Sequence, residues 1–214
     1  MTNPVPADDT SSAGATAAGR DVRAKLLDAV ERMAGDDYKL PRLAFSLREI
    51  AREVGIATPS VYRHFAGKED LISAAVDTGF TLLLRELDQT VKECADQEPT
   101  AVLRAQAAAY CRFLYRRRGL TRIMFATHPA NWQPSEPLPD HLGQLRYRWI
   151  TAVEACQKQG WRVPAEVTTT ADVVWAAVHG CLMLALVMRS GSEESLLSHV
   201  SAQFDLWPTA DRRP

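Results

Sequence analysis

A chain of 214 residues, 46% of them hydrophobic, is long enough to bury a sizeable core as one large domain or two small ones. Its formal net charge of −1 excludes a nucleic-acid binder that works by bulk charge, and its four cysteines, with no CxxC pair, indicate neither a disulfide framework nor a zinc site. Glycine is sparse and strand-like alternation is hard to find, so all-α is the expected class, with about nine helices.

Met1 to Gly19 lacks the charged start and apolar core of a signal peptide, and its Ala, Ser, Thr, Gly and Pro content reads as a disordered tail. Arg20 to Ala34 is predicted to be an amphipathic helix, with Val22, Leu26, Ala29, Val30 and Met33 on one face. Gly35 to Ala44, with Pro41 excluding helix, connects it to the stretch that carries the chemistry. Ser46 followed by Glu49 makes a capping box, with Phe45 and Ile50 placed for a hydrophobic staple, so a helix starts at Leu47. Leu47, Ile50, Ala51 and Val54 form its buried stripe, and Gly55 ends it. Thr58 is the expected N-cap of a second helix, Pro59 to Phe65, with Pro59 at its first position.

That second helix leaves Thr58, Ser60, Tyr62, Arg63 and His64 exposed, all polar and all able to hydrogen-bond. An αα-hairpin in an ordinary bundle would have the same length and pattern. The Tyr-Arg-His run, and a lysine at the amide-rich start of the next helix, Gly67-Lys68, point instead to a helix-turn-helix with a phosphate anchor. Charge agrees in sign: Arg20 to Lys68 holds ten Lys/Arg against seven Asp/Glu, while the remainder holds fifteen against nineteen.

REIAREVGIATPS followed by VYRHFAGKEDL resembles the DNA-binding domain of the TetR family of transcriptional regulators over Arg20 to about Val76. The resemblance implies a DNA-binding domain over residues 20–68, then a helical ligand-binding and dimerisation domain over residues 69–208 and a short tail over 209–214. It also implies that Arg48 reaches a guanine edge and that Thr58, Pro59, Ser60 and Tyr62 contact bases or adjacent backbone. Lys68 and His64 would contact phosphates, and Arg63 a base or a phosphate. The partners implied are double-stranded operator DNA, a second copy of the chain and a small apolar or amphipathic effector, with no cofactor and no membrane.

Lys68 to about Ala95 is predicted as a long helix burying Leu71, Ala75, Phe80, Leu83, Leu84, Leu87 and Val91. Thr100 to about Arg118 follows, with Leu103, Ala107, Tyr110, Cys111 and Leu114 inside. Arg116, Arg117 and Arg118 read as complements to a helix dipole, and Gly119 as the break before a short helix, Leu120 to Phe125. His128 to Pro139 contains four prolines and reads as a loop. Asp140 to Gln159 is the next helix, closed by Gly160.

Pro164 to Arg189 is the most apolar segment, and its run from Val173 to Met188 is too short for a membrane span. A helix apolar all round must be buried on all sides, more than one protomer of this size easily supplies. Pairing it and the last helix, Glu193 to about Leu206 capped by Ser192, with their symmetry mates would hide the excess in an isologous interface. Leu184, Met188, Leu197, Val200 and Phe204 are the candidates.

Tyr110, Phe113, Met124, Phe125, Trp132, Trp149, Trp175, His179 and Met183 permit an apolar cavity, which the family resemblance implies, although such residues at helical spacing are core more often than pocket. No glycine-rich phosphate loop, GxSxG, HExxH or paired acids in an apolar setting are found, and no enzyme is expected. The expected function is a cytoplasmic homodimeric repressor released by an effector. The rivals are a regulator of the same fold without a ligand and, more remotely, an all-helical enzyme. Cys94, Cys111, Cys156 and Cys181 are expected as small apolar core residues.

Overall fold

In the computed structural model, residues 10–35, 45–125, 137–161, 165–188 and 192–206 are described, and every regular element among them is a helix. These are α1 (Thr10–Ala34), α2 (Leu47–Val54), α3 (Thr58–Val61), α4 (Lys68–Glu93), α5 (Pro99–Arg116), α6 (Arg118–Phe125), α7 (Pro137–Lys158), α8 (Val167–Met188) and α9 (Glu193–Asp205). The chain is all-α, as its composition leads one to expect.

α1, α2 and α3 form a small head. α1 starts at Thr10, ahead of the predicted Arg20, so residues 10–19 are helical and not part of a disordered tail. Its inner face buries Leu26, Ala29 and Val30, with Val22 and Met33 packed at the edge. The capping box of α2 is present as expected: the Ser46 hydroxyl accepts from the Glu49 amide, and the Glu49 carboxylate accepts from the Ser46 amide at 2.8 Å. Phe45 and Ile50 are both buried beside it, and Gly55, at φ 76°, supplies the left-handed residue that ends α2.

α3 differs from its prediction at both ends. Ala57, extended at φ −70° and ψ 139°, stands at the N-cap, and its carbonyl accepts from the Ser60 amide at 2.8 Å. Thr58 therefore lies inside the helix and caps nothing. After Val61 the ladder tightens: both His64 and Phe65 amides donate to the Val61 carbonyl, so Tyr62 to His64 run as turns and the regular helix is half the predicted length.

α4 runs out of the head into a body of α5 to α9. Leu71, Ile72, Ala75 and Val76 are buried at its head end, and Phe80, Leu83, Leu84 and Leu87 in the body. Val91, expected inside, is 38% exposed, because α4 by then has run past its neighbours. α5 buries Leu103, Ala107, Tyr110, Cys111 and Leu114, as its periodicity predicts.

The break between α5 and α6 falls at Arg117, not at Gly119, which lies within α6. The three arginines here do more than complement a dipole. Arg116 makes a bidentate pair with Glu193 of α9, at 2.7 and 2.8 Å; Arg117 pairs with Glu31 of α1; the Arg118 guanidinium lies 4.3 Å from the Tyr115 ring centroid. α7 begins at Pro137, inside the expected loop; proline is well tolerated in a helix's first turn. Gly160, at φ 93°, turns the chain out of it.

α8 packs against α5, α7 and α9 and buries Thr170, Ala171, Val174, Val178, Leu182 and Leu186. It is not buried on all sides: Val173, Leu184, Val187 and Met188 are each at least half exposed, along the opposite stripe. Ser192 caps α9 by accepting from the Ser195 amide. The four cysteines are free; Cys111 and Cys156 are buried, Cys94 and Cys181 half-buried.

The Ser46 hydroxyl supports one reciprocal cap in a head with few core residues. Ser46→Ala should cost about 1 kcal/mol in urea unfolding, and Ser46→Asp, which retains an acceptor, should recover most of it. An unchanged midpoint for Ser46→Ala would remove the cap from the forces holding α2.

Candidate nucleic-acid interface

The floor of the reading surface is apolar. Val61 and Phe65 are buried, and Phe65 carries the Arg23 guanidinium of α1 5.2 Å from its ring centroid. Glu53 of α2 pairs with Arg32 of α1 at 3.2 Å, and Asp70 accepts from the Ala66 amide at 2.7 Å, closing the turn into α4. With these contacts fixing α3 and the turn, the remaining polar side chains face outward.

Arg48, Pro59, Tyr62 and Arg63 are exposed, Tyr62 by 56%, while Thr58, Ser60, His64 and Lys68 are half-buried. Arg63 Nη2 donates to Ser60 Oγ at 2.8 Å, which narrows the conformations of both before any partner arrives. Their spacing of three residues was the available signal for that contact. Lys68 is more engaged than its sequence position suggests. Its ammonium donates to the Phe45 carbonyl and lies 4.6 Å from the Phe45 ring centroid, and burial lowers its pKa from the ordinary lysine value. It thus ties the start of α4 to the segment leading into α2.

The aromatic residues of the body divide into groups. Tyr110 is fully buried; its hydroxyl accepts from Trp175 Nε1 at 3.2 Å and shares a hydrogen bond with His179 Nδ1 at 2.9 Å. Trp149 stands edge-on to Tyr110 with ring centroids 5.7 Å apart, and Phe125 lies 4.8 Å from His179. Met124 packs over Gly79 of α4, Phe113 lies under the Arg117 guanidinium, and Met183 packs at the edge of the core. Trp132 lies outside the described residues. Tyr110, Phe125, Trp149, Trp175 and His179 are therefore brought together, while Met124 and Phe113 serve contacts to other helices.

The candidate interface residues separate likewise. Leu184 and Met188 of α8 are exposed and Leu197 of α9 is half-buried. Val200 and Phe204 are buried within their own protomer, which corrects the expectation that they face a partner. α9 turns its single apolar face onto α5, where the Arg104 guanidinium also covers the Phe204 ring at 5.3 Å.

The model for bacterial regulatory proteins of the tetR family matches residues 43–75, and that for the tetracyclin repressor-like C-terminal domain matches residues 103–198. The chain belongs to the TetR family. Solved structures share the fold of this TetR-family chain. A protein of unknown function from Rhodococcus sp. RHA1 is 24% identical, with a TM-score of 0.69, over 86% of this chain and 93% of its own. The transcriptional regulator FadR from Bacillus subtilis, in complex with stearoyl-CoA, is 13% identical with a TM-score of 0.70 over 86% and 96%. The TetR-family regulator PfmR from Thermus thermophilus is 16% identical, with a TM-score of 0.60, over 83% and 94%. A search of curated proteins finds no match. As a member of the TetR family the chain is a DNA-binding transcriptional regulator, and its helix-turn-helix is α2, the turn at Gly55 and α3.

Burial holds the His179 imidazole below its ordinary pKa of 6.5, so the unfolded chain takes up this proton before the folded one. Stability linked to this group is complete above pH 6.5 and is lost as pH falls below that value toward the folded pKa. Denaturant midpoints measured from about pH 8 to pH 5 should fall less in His179→Gln than in the wild type. Parallel pH profiles would show that His179 is not the linked group.

Proposed function

We propose that this TetR-family regulator is a cytoplasmic homodimeric repressor that binds a palindromic operator and is released by a small apolar or amphipathic effector. The observation that carries it is the row of polar side chains on α3 and the turn after it, Thr58 to His64, seated on the buried Val61 and Phe65. In this reading residues 20–68 form the DNA-binding domain and residues 69–208 the ligand-binding and dimerisation domain. Arg48 reads a guanine edge from α2, and Thr58, Pro59, Ser60 and Tyr62 meet bases or adjacent backbone. Arg63 contacts a base or phosphate; His64 and Lys68 contact phosphates, Lys68 in competition with the Phe45 carbonyl.

The exposed apolar stripe of Val173, Leu184, Val187 and Met188 supports the dimer. A patch of this kind is uncommon on a soluble monomer, and a two-fold partner would cover it. Two-fold symmetry then asks for half-sites about 34 Å apart, one helical turn of DNA, or a multiple of it. The Tyr110, Trp175 and His179 cluster supplies polar handles within an apolar setting for an effector. Because FadR was solved with stearoyl-CoA, long-chain acyl-CoA is the first effector class to test. A regulator without a ligand is favoured by the complete burial of Tyr110 and Trp149, which pack as ordinary core. Thermal stabilisation separates the two readings, since a ligand at 100 times its dissociation constant adds about 2.7 kcal/mol.

The test of the whole reading is an electrophoretic shift on DNA flanking the chain's own gene, reversed by the effector. Within it, Arg48→Ala should cost about 1 to 3 kcal/mol on the cognate site and relax preference at one base pair. Equal weakening on cognate and scrambled DNA would make Arg48 a phosphate contact only.

Leu184→Glu should convert a dimer to a monomer by light scattering and lose tight operator binding, with helicity retained. A wild type that is monomeric at micromolar concentration yet binds its operator tightly would overturn the interface and the mechanism together.

A further inference from the structure

α6 and the C-terminal half of α1 approach so closely that a side chain has no room between them. At Gly119 any Cβ would land 2.0 Å from the Glu31 carbonyl oxygen. Beside this contact Arg117 Nε donates to Glu31 Oε1 at 3.1 Å and Nη2 donates to Oε2, a bidentate pair whose side chains are 31% and 22% exposed. Further along α6, Arg122 is buried, and its Nη1 donates to the carbonyl of Ala34, the last residue of α1. Gly35, at φ 61°, turns the chain away just beyond, leaving that carbonyl available. A guanidinium is costly to bury, and here the negative end of a helix dipole offsets the cost.

The other side of α6 is held equally closely. At Gly79 of α4 a Cβ would meet Met124 Sδ at 2.7 Å and Leu120 Cδ1 at 2.9 Å, so α6 is clasped between α4 and α1. On its open side the α1 seam borders a cleft of about 500 Å³, lined by Asp28, Glu31, Arg32 and Gly119 among others. Apolar packing does not close the seam there, and the polar contacts carry that edge.

We propose that this seam fixes the angle of the reading head on the body: Gly119 against the Glu31 backbone, Arg117 on the Glu31 carboxylate and Arg122 on the Ala34 carbonyl. α1 is then a second route between body and head beside α4, and these are positioning residues that touch no DNA. The consequence for operator spacing rests on the DNA-binding reading above; the mechanical joint does not.

Hydrogen exchange on the full chain tests the joint directly. Arg122→Gln and Glu31→Gln should each speed exchange in the second half of α1 and in α2 and α3 about tenfold, while α7 to α9 keep wild-type rates. Arg122→Lys, which keeps a donor, should restore most of the protection. Head exchange within about twofold of wild type in both Gln variants would overturn the proposal, whatever Gly119→Ala does to folding. Selection from random DNA then reads the angle: both variants should keep the wild-type half-site but accept more than one spacing. An unchanged single spacing at unchanged affinity would also overturn it. A wild type that selects no DNA would sink the DNA-binding reading instead, and the exchange data would still decide the joint.

Discussion

The head and the body share one helix, and the rest of the molecule depends on that sharing. α4 buries Leu71, Ile72, Ala75 and Val76 among the small helices and Phe80, Leu83, Leu84 and Leu87 among the large ones. Fully burying a leucine contributes roughly 1.5 to 3 kcal/mol, so either half of this stripe is worth several times the energy of an exposed ion pair. α4 therefore cannot slide or tilt by small degrees without opening a void at one end. A packed helix of this kind moves between discrete arrangements or not at all, which is what a switch requires.

Much of the fold was legible because it rests on local chemistry. Ser46, Glu49 and Gly55 announce the ends of α2 through hydrogen bonds within a few residues, and the apolar periodicities of α4 and α5 agree with their buried faces. Val61 and Phe65 mark the inward side of the motif, yet of the residues expected to be exposed Tyr62 and Arg63 are so, while Thr58, Ser60 and His64 are half-buried. Where local rules failed, the deciding partner lay far along the chain. Nothing near Val200 or Phe204 says that α5 covers them, and nothing near Lys68 says that the Phe45 carbonyl lies within its reach.

Arginines 116 to 118 show the same limit from another side. As a run they look like one electrostatic feature, yet the chain turns at Arg117, between the end of α5 at Arg116 and the start of α6 at Arg118. Each met a different element: Glu193 of α9, Glu31 of α1 and the ring of Tyr115. Gly119 looked like a helix breaker because glycine usually is one. Its place inside α6 reflects close backbone approach, a requirement visible only once α1 is alongside.

α9 is docked on α5 by an apolar face and, at its two ends, by exposed charges. Arg112 and Arg116 hold Glu193 at its start, and Arg104 holds Asp205 and the Ser201 carbonyl near its close. Such pairs weaken as the Debye length shrinks from about 10 Å at 0.1 M salt to 3 Å at 1 M. If the head contacts phosphates as proposed, ionic strength acts on those contacts and also on the clamps of the final helix. Any slope of affinity against salt concentration would sum the two, and counting phosphates from that slope would overestimate them unless α9 were shown to stay docked throughout.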